Sequence, residues 1–232
     1  MFLSQYGRAE KKAILAALTT PNVGFRIFKH INKNCSSDDI DAISFALYKG
    51  INVPFFIQGN DSIPTVLLNP IAYAVEFNFK INSLIWEGYK PAQILAIAYA
   101  YINGYKEIAM YISPKLTPQQ IELLEEFLKA DINLFYFDEE DVYNVTLNYF
   151  TQGYLCYEDF ISTLKNFQDK DFDYLKYLRD GFDVKQIIEI FEGIEAGVDI
   201  SRYASKEITA KNMHFIKNRL IRQKSPTTQE NS

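Results

Sequence analysis

The stretch IIEIFEGIEAGVDI, residues 187–200, combines apolar residues at helical spacing with a glycine turn. Three of its isoleucines stand ten, seven and three positions before Gly197. Residues spaced in this way lie on one face of an α-helix, so the stretch predicts an amphipathic helix. Gly197 can adopt the left-handed conformation that ends a helix, and Asp199 can cap the segment that follows. We therefore expect one helix to end here and another to begin.

The same pattern recurs along most of the chain. Ile40, Ile43 and Leu47 precede Gly50 at the same spacing, and less regular copies precede Gly104 and Asp131. From residue 88 onward, turns two apart are separated by 42 to 50 residues, a period typical of HEAT and armadillo arrays of paired helices. The sequence thus predicts an all-α fold, an α-solenoid-like array of two-helix repeats. The predicted turn positions are Gly50, Gly88, Gly104, Asp131, Gly153, Gly181, Gly197 and Gln223.

One region also has strand-like composition. Residues 134–137 and 142–150 are rich in aromatic and β-branched side chains, which favour β-strands. A small β element near 134–150 is therefore an alternative to helix at this place.

The pattern also predicts how the chain is divided. It lapses between Phe56 and Pro70, where glycine, asparagine and two prolines occur. We expect an N-terminal helical portion, an irregular connection, the repeat array and a polar, disordered tail. These segments are 1–60, 61–90, 91–223 and 224–232, respectively.

Composition excludes several classes of protein. The formal charge of -5 gives no overall attraction to nucleic acid or to an anionic membrane. The most apolar run, residues 94–102, is far shorter than the roughly 18 residues that a membrane span needs. Cys35 and Cys156 are far apart, and the N-terminus lacks the apolar core of a secretory signal. We expect a cytoplasmic protein without disulfides that does not insert into membranes.

No residues are arranged for catalysis, metal binding or cofactor binding. His30 and His214 lack a serine or carboxylate arrangement that would form a triad, and neither cysteine has a histidine nearby. The run 169–173 begins like a calcium loop, but Tyr174 replaces its glycine and Asp180 its glutamate. The sequence therefore predicts a protein that is not an enzyme and has no catalytic, cofactor-binding or metal-binding residues.

Two further features have simple structural explanations. The acidic run 138–141 could hold a metal, but acidic residues at the N-terminus of a helix also complement its dipole, and we expect that role. Gly193 and Gly197 are not expected to form a phosphate-binding loop. The lysine, the Ser or Thr and the preceding strand that such a loop needs are absent around them.

The segment from Gly193 to Ala204, followed by Met213, Ile216 and Leu220, resembles a known type of repeat. Tandem short helical repeats that read roughly QMxxIRxGLxxGxDVSxYA occur in uncharacterised proteins of low-GC Gram-positive bacteria and their mobile elements. The resemblance covers about residues 181–222 well and 36–180 partly. It implies helical hairpins and a phage, plasmid or conjugative-element context, and it carries no activity over to this chain.

A repeat array with many tyrosines is typical of proteins that bind another macromolecule, since tyrosine offers a large contact area at low entropic cost. We expect a protein partner, with Tyr136, Tyr143, Tyr154 and Tyr157 as candidate contacts. The alternative is that these tyrosines pack between helices. In a mobile-element context, one form of this function is the inhibition of a bacterial defence complex.

Basic residues gather near the C-terminus and give a second candidate function. Lys217, Arg219 and Arg222 could contact the phosphate backbone of a nucleic acid. A polar cap that keeps the end of a repeat array soluble would explain the same residues, and we favour that interpretation. The oligomeric state stays open.

Overall fold

A computed structural model describes residues 2–151 and 157–224, and it is all-helical over these residues. Short 3-10 helices connect several of the α-helices, and no strand occurs in either described range. The α-helices are α1 (Arg8–Thr19), α2 (Ser37–Tyr48), α3 (Val53–Ile57), α4 (Leu68–Ala74), α5 (Ile81–Trp86), α6 (Pro91–Ile102), α7 (Pro118–Lys129), α8 (Glu139–Thr151), α9 (Tyr157–Asp169), α10 (Tyr174–Arg179), α11 (Val184–Glu195) and α12 (Ala210–Lys224).

The small β element considered near 134–150 is wrong, because residues 139–151 form α8. Asp138 and Asp141 cap this helix reciprocally: each side chain accepts a hydrogen bond from the other residue's backbone N–H, at 2.8 and 3.1 Å. Val142 and Val145 are buried at helical spacing. Capping and packing thus outweigh the weak strand preference of β-branched residues. The acidic run 138–141 lies at a helix N-terminus, as expected.

Residues 61–90, expected to be irregular, contain α4 and α5. Pro70 lies in the first turn of α4, where the missing N–H would have no partner within the helix. The chain divides into two compact units, Met1–Glu125 and Glu126–Ser232, so the boundary falls within α7 and inside the predicted array 91–223. The predicted tail lies outside the described residues except for Lys224, which ends α12.

Six of the predicted turns adopt the left-handed conformation. After each of them, the next backbone N–H donates to the carbonyl oxygen five residues earlier, as from Ile51 to Ala46 at 2.9 Å and from Val198 to Gly193 at 3.0 Å. These bonds satisfy carbonyl groups at the helix end, as in a Schellman motif. The six are Gly50, Gly88, Gly104, Asp131, Gly181 and Gly197.

Two predicted turns are not among these six, and two left-handed turns were not predicted. Gln223 is wrong as a turn, because α12 continues through it to Lys224. Gly153 lies outside the described residues. Asn78 and Asp171 form left-handed turns that the glycine pattern missed. Asn and Asp tolerate this conformation better than other residues that carry a Cβ.

The apolar positions of the pattern form much of the core. The residues ten and seven positions before the turn are fully buried in four copies, and the third position varies. Ile194 is exposed although its spacing predicted burial. The fully buried pairs are Ile40 and Ile43, Ile94 and Ile97, Ile121 and Leu124, and Ile187 and Ile190.

A larger internal repeat appears in the helix bounds. The helices α5 and α6 recur as α10 and α11, and every residue number in the second pair is larger by 93. The left-handed turns at Asn78, Gly88 and Gly104 recur at the same offset. One residue fewer separates α11 from α12 than α6 from α7, so α7 and α12 correspond at an offset of 92.

The two copies share a buried glutamine that fastens the connection following the long helix. Gln93 Nε2 donates to the carbonyl oxygens of Pro114 and Leu116. Gln186 Nε2 donates to those of Lys206, at 3.1 Å, and Ile208, at 2.8 Å. The Oε1 atom of each glutamine accepts from the backbone N–H that precedes its helix. Each glutamine side chain thus caps the start of its helix and also binds the loop that follows that helix.

Within the first unit, the longer helices pack in chain order, α1 on α2, α2 on α4 and α4 on α6. Within the second unit, α10 packs on both α8 and α11, and α11 packs on α12. These contacts thus join helices that are near one another along the chain.

Candidate partner-binding surface

Helix α8 is anchored to the second unit by polar contacts on its buried side. The buried Asp141 carboxylate accepts two hydrogen bonds from the Arg179 guanidinium, at 3.0 Å from Nε and 2.5 Å from Nη2. Asn148 Oδ1 accepts from the backbone N–H of Val184, the first residue of α11, at 3.2 Å. A bidentate ion pair and a bond to a helix N-terminus fix the rotation of α8 about its axis.

The opposite side of α8 presents apolar side chains to solvent. Tyr143, Leu147 and Phe150 are exposed and follow the i, i+4, i+7 spacing of one helix face. The buried residues Val142 and Val145 lie on the other face. Helix α8 therefore has two apolar faces, of which the described residues cover one.

The turn before α8 exposes two more aromatic side chains. Phe135 is 79% exposed and Tyr136 is 71% exposed, with their ring centroids 5.3 Å apart in an edge-to-face arrangement. The turn itself is ordered by hydrogen bonds: Asn133 N–H donates to Gln168 Oε1 at 2.7 Å, and Phe135 N–H donates to Asn133 Oδ1. We call Phe135, Tyr136, Tyr143, Leu147 and Phe150, the large exposed apolar residues of α8 and of the turn before it, the aromatic surface.

A cavity of about 480 Å³ lies beside Tyr136. Its wall comes from the turn before α8, the end of α9 and helix α10, and it includes the half-exposed Arg179 and the side chain of Tyr174. The size and the mixture of aromatic and polar groups suit the insertion of one or two side chains from a partner.

Two ionisable side chains at the cavity have shifted pKa values. The Asp141 carboxylate raises the pKa of Arg179 through its hydrogen bonds and its charge, so the guanidinium stays charged. Burial raises the pKa of Tyr174, so its phenol stays neutral. Neither group is placed to exchange a proton near neutral pH.

A larger groove of about 860 Å³ lies between α9, α11 and the end of α7 in the second unit. Several charged groups around it already have partners in the chain. Lys165 Nζ donates to the Ala130 carbonyl oxygen at 2.8 Å, and Lys129 pairs with Glu126 at 2.7 Å. The aromatic rings at its base, Phe167 and Phe191, are buried.

The structure places the predicted tyrosines differently from one another. Tyr136 and Tyr143 belong to the aromatic surface. Tyr157 is half-buried, and its ring lies 5.0 Å from that of Tyr149, so it packs within the second unit. Tyr154 lies outside the described residues.

Of the predicted basic contacts, Lys217 is wrong as an exposed group. Its side chain is 3% exposed, and its Nζ lies 2.5 Å from Glu189 Oε2 and also contacts Glu192. These carboxylates raise the pKa of Lys217 against the opposing effect of burial. An ammonium that two glutamates neutralise cannot also hold a phosphate. Arg219 and Arg222 are exposed on α12, as expected.

The other side chains considered for catalysis or metal binding are the cysteines, the histidines and the calcium-like run. Cys35 Sγ accepts a hydrogen bond from the Asn32 N–H, and Cys156 lies outside the described residues. His214 Nδ1 lies 3.2 Å from Glu189 Oε2. Burial lowers the pKa of His30. Asp173, in the calcium-like run, caps α10 through the Lys176 N–H. Over the described ranges, no group of three or more His, Cys, Asp or Glu residues could hold a metal ion.

None of the helices in the described part of the chain is both long enough and apolar enough to cross a membrane.

Sequence reasoning missed part of the aromatic surface. Phe135, Leu147, Phe150 and Arg179 were not among the predicted contact residues. A second apolar stripe at 143, 147 and 150, opposite the stripe at 142 and 145, was the available signal. An apolar residue on a helix face that the core does not need is a candidate for contact with a partner.

Comparison of the chain with models of known protein families, with curated proteins and with solved structures found no match.

Proposed function

We propose that this chain is a non-enzymatic helical-repeat protein that binds a protein partner through the aromatic surface. The observation that carries the proposal is the exposed stripe of Tyr143, Leu147 and Phe150 on a helix whose other face is fixed by Asp141 and Asn148. Clustered exposed apolar groups mark interaction sites, whereas scattered ones are ordinary.

Anchoring of α8 supports tight binding. Because Arg179 and Val184 hold the helix in place, docking would cost little additional backbone ordering. Tyrosine and phenylalanine lose little side-chain entropy when they become buried, so they are effective anchors. The cavity beside Tyr136 could accept an apolar or hydroxyl-bearing side chain of the partner, with Arg179 at its wall.

Charge favours a protein over a nucleic acid at this surface. Glu139 and Glu140 form the first turn of α8, beside the exposed stripe, and would repel a phosphate backbone. Stacking of bases on tyrosine would need a basic groove alongside. Among the described residues that line the cavity, the one cation is Arg179, which is paired with Asp141.

Affinity capture with variants tests this proposal. The full chain would be used as bait in nuclease-treated lysate of its host and of that host's bacterial competitors, followed by mass spectrometry. The surface variant carries Tyr136→Ala, Tyr143→Ala and Phe150→Ala. The matched control carries Leu15→Ala, Phe25→Ala and Trp86→Ala, three exposed apolar residues of the first unit.

We expect a nuclease-resistant partner that is recovered by the wild-type chain and by the control and lost with the surface variant. A loss of about tenfold or more is expected when two or more anchor residues are removed. A partner retained equally by all three baits would place the binding site elsewhere, and recovery only in the absence of nuclease would replace this proposal with nucleic-acid binding.

Inhibition of a bacterial defence complex is a narrower form of this proposal, and it rests on the resemblance of residues 181–222 alone. A gene located among phage or plasmid genes supports it. A gene located within a housekeeping operon contradicts it.

A further inference from the structure

Helix α12 has a buried face and an exposed basic face. Met213 and Lys217 are buried against the rest of the second unit. On the opposite side stand four exposed residues at intervals of four, four and three: Lys211, Phe215, Arg219 and Arg222. Phe215 is 62% exposed in the middle of this stripe. We call these four residues the α12 stripe.

The internal repeat indicates what kind of element covers such a face. By the offset between α7 and α12, Phe215 corresponds to Leu123 and Arg219 corresponds to Phe127. Leu123 and Phe127 are both fully buried. Within the second unit, the Phe127 ring stacks on Phe160 of α9, with centroids 6.0 Å apart. In the first copy, therefore, an aromatic residue of an amphipathic helix packs on Phe127.

The covering helix carries acidic residues at its start. Glu158 and Asp159 lie in the first turn of α9, and Glu158 lines the same groove as Lys129 of α7. The α12 stripe has three cations and no acidic residue. A helix that covers it must therefore offer an apolar side chain to Phe215 and carboxylates to the arginines.

The cations of the α12 stripe are free of the contacts that occupy two other lysines of the helix. Lys217 is neutralised by Glu189 and Glu192. Lys224 Nζ donates to the carbonyl oxygens of Ala196 and Gly197, at the C-terminal end of α11. These two lysines dock α12, which leaves Arg219 and Arg222 for a ligand.

We propose that the α12 stripe is a second docking site, which binds an acidic amphipathic helix of a partner protein, much as Phe127 of α7 receives Phe160 of α9. The partner inserts an apolar residue beside Phe215 and places Asp or Glu side chains against Arg219 and Arg222. This site is separate in sequence from the aromatic surface and does not depend on the function proposed for it.

A phosphate backbone fits this face less well. Phe215 interrupts the line of charge at its centre, and burial of Lys217 removes one of the cations counted from sequence. A phosphate-binding helix would keep its cations exposed and would not need an apolar residue among them.

The probe is the chain's own covering helix, residues 157–169, as a fluorescent peptide. A hydrocarbon crosslink between positions 162 and 166, both exposed on α9, keeps it helical without altering Phe160. Binding to the full chain is followed by fluorescence anisotropy. The variants are Phe215→Ala and the pair Arg219→Glu with Arg222→Glu. The charge-matched control reverses Lys12 and Lys33, which are exposed in the first unit.

We expect saturable binding of the peptide, weakened about tenfold or more by either α12 variant and unchanged by the Lys12 and Lys33 control. A peptide with Phe160→Ala should also bind more weakly, because Phe160 is the large apolar side chain that the peptide offers to the α12 stripe. Because the variants alter exposed positions, their melting temperatures should equal that of the wild-type chain, which separates loss of binding from loss of folding.

Three results would overturn the proposal. The first is no binding at millimolar peptide, or binding that neither α12 variant changes. The second is binding of a duplex DNA of about 20 base pairs that is lost on charge reversal but kept in Phe215→Ala, which would assign the face to nucleic acid. The third is self-association that Phe215→Ala abolishes, which would assign it to a second copy of this chain.

Discussion

Helices α7 and α12 are the last helices of the two copies of the internal repeat, but they differ in the exposure of corresponding residues. Leu123 and Phe127 of α7 are buried, whereas Phe215 and Arg219 at the corresponding positions of α12 are exposed. The backbone design is shared, down to the glutamine that fastens the preceding loop. The difference teaches that corresponding positions on a shared backbone can be buried in one copy and exposed in the other, depending on their surroundings.

The copies also differ where the long helix meets the loop that follows it. In the second copy, Gly193 leaves space for the Tyr203 hydroxyl, which donates to the Glu189 carbonyl oxygen at 3.0 Å. In the first copy, the corresponding position of α6 holds Ala100, which is fully buried. Burial raises the pKa of Tyr203 to about 12, so its hydroxyl stays protonated as the donor.

The largest expected effect is that of Gly193→Ala. A Cβ at this position would lie 1.7 Å from Tyr203 Oη, so the ring must move and the second unit should lose about 3 kcal/mol of stability. Adding Tyr203→Phe removes the clashing oxygen, so the double variant should be less destabilised than the sum of the single variants. Chemical denaturation of the four proteins measures this coupling.

The matched change in the first copy is Ala100→Gly, for which we expect a loss of about 1 kcal/mol from helix propensity together with lost packing. If Gly193→Ala were no more costly than Ala100→Gly, the close contact of Gly193 with Tyr203 would be contradicted.

A second effect should appear when the buried ion pairs of α12 are broken. Lys217→Ala leaves Glu189, which is largely buried, without its ammonium partner, and we expect a loss of about 2 kcal/mol. The estimate is reduced because Glu192 is half exposed. The control Arg219→Ala, on the outer face of the same helix, should change stability by less than about 0.5 kcal/mol. Equal stability of the two variants would mean that Lys217 is not buried.

The equivalence of the two copies is tested by their glutamines. Gln93→Ala and Gln186→Ala each leave two carbonyl groups without a donor, so we expect similar losses of about 2 kcal/mol, each in its own unit. Hydrogen exchange read by mass spectrometry locates the loss. Two results would contradict the correspondence between the copies. One is increased hydrogen exchange far from the loop of the substituted glutamine, and the other is a loss of stability less than half as large in one variant as in the other.

The smallest effect concerns acid sensitivity. Burial and the nearby Arg26 and Lys29 lower the pKa of His30 below its ordinary value of 6.5, so the unfolded chain binds a proton more readily than the folded chain. Stability of the first unit should therefore be complete above about pH 6.5 and fall as the pH drops through and below it. His30→Gln should flatten this dependence between roughly pH 7.5 and 5.5. An unchanged slope in the variant would contradict the assignment.

Much of the fold could be predicted from the sequence, because left-handed turns and helical spacing are local signals. Gly50, Gly88 and Gly197 marked helix ends correctly, since a residue without a Cβ is favoured there. The left-handed turns at Asn78 and Asp171 were missed because the pattern was built on glycine, the residue that adopts this conformation most readily. The helical state of 139–151 was obscured by β-branched residues whose burial within the helix cannot be seen locally.

The candidate sites were less predictable, because exposure is a property of the assembled chain. Lys217 and Arg219 have the same charge and lie two residues apart, yet only one of them reaches solvent. Ile194 and Phe150 are apolar but exposed. Tyr136 and Tyr143 could be proposed as contacts from sequence because tyrosine is a common contact residue, whereas the placement of Arg179 required its distance to Asp141.

The most direct test of the central claim, that the aromatic surface binds a protein, is site-specific photo-crosslinking. A benzophenone amino acid would replace Tyr136, Tyr143 or, as a control in the first unit, the exposed Trp86, and each full-length chain would be irradiated in nuclease-treated lysate. We expect the same protein to be crosslinked at 136 and 143 and not at 86. Crosslinking of a partner at 86 with none at 136 and 143 would contradict the account.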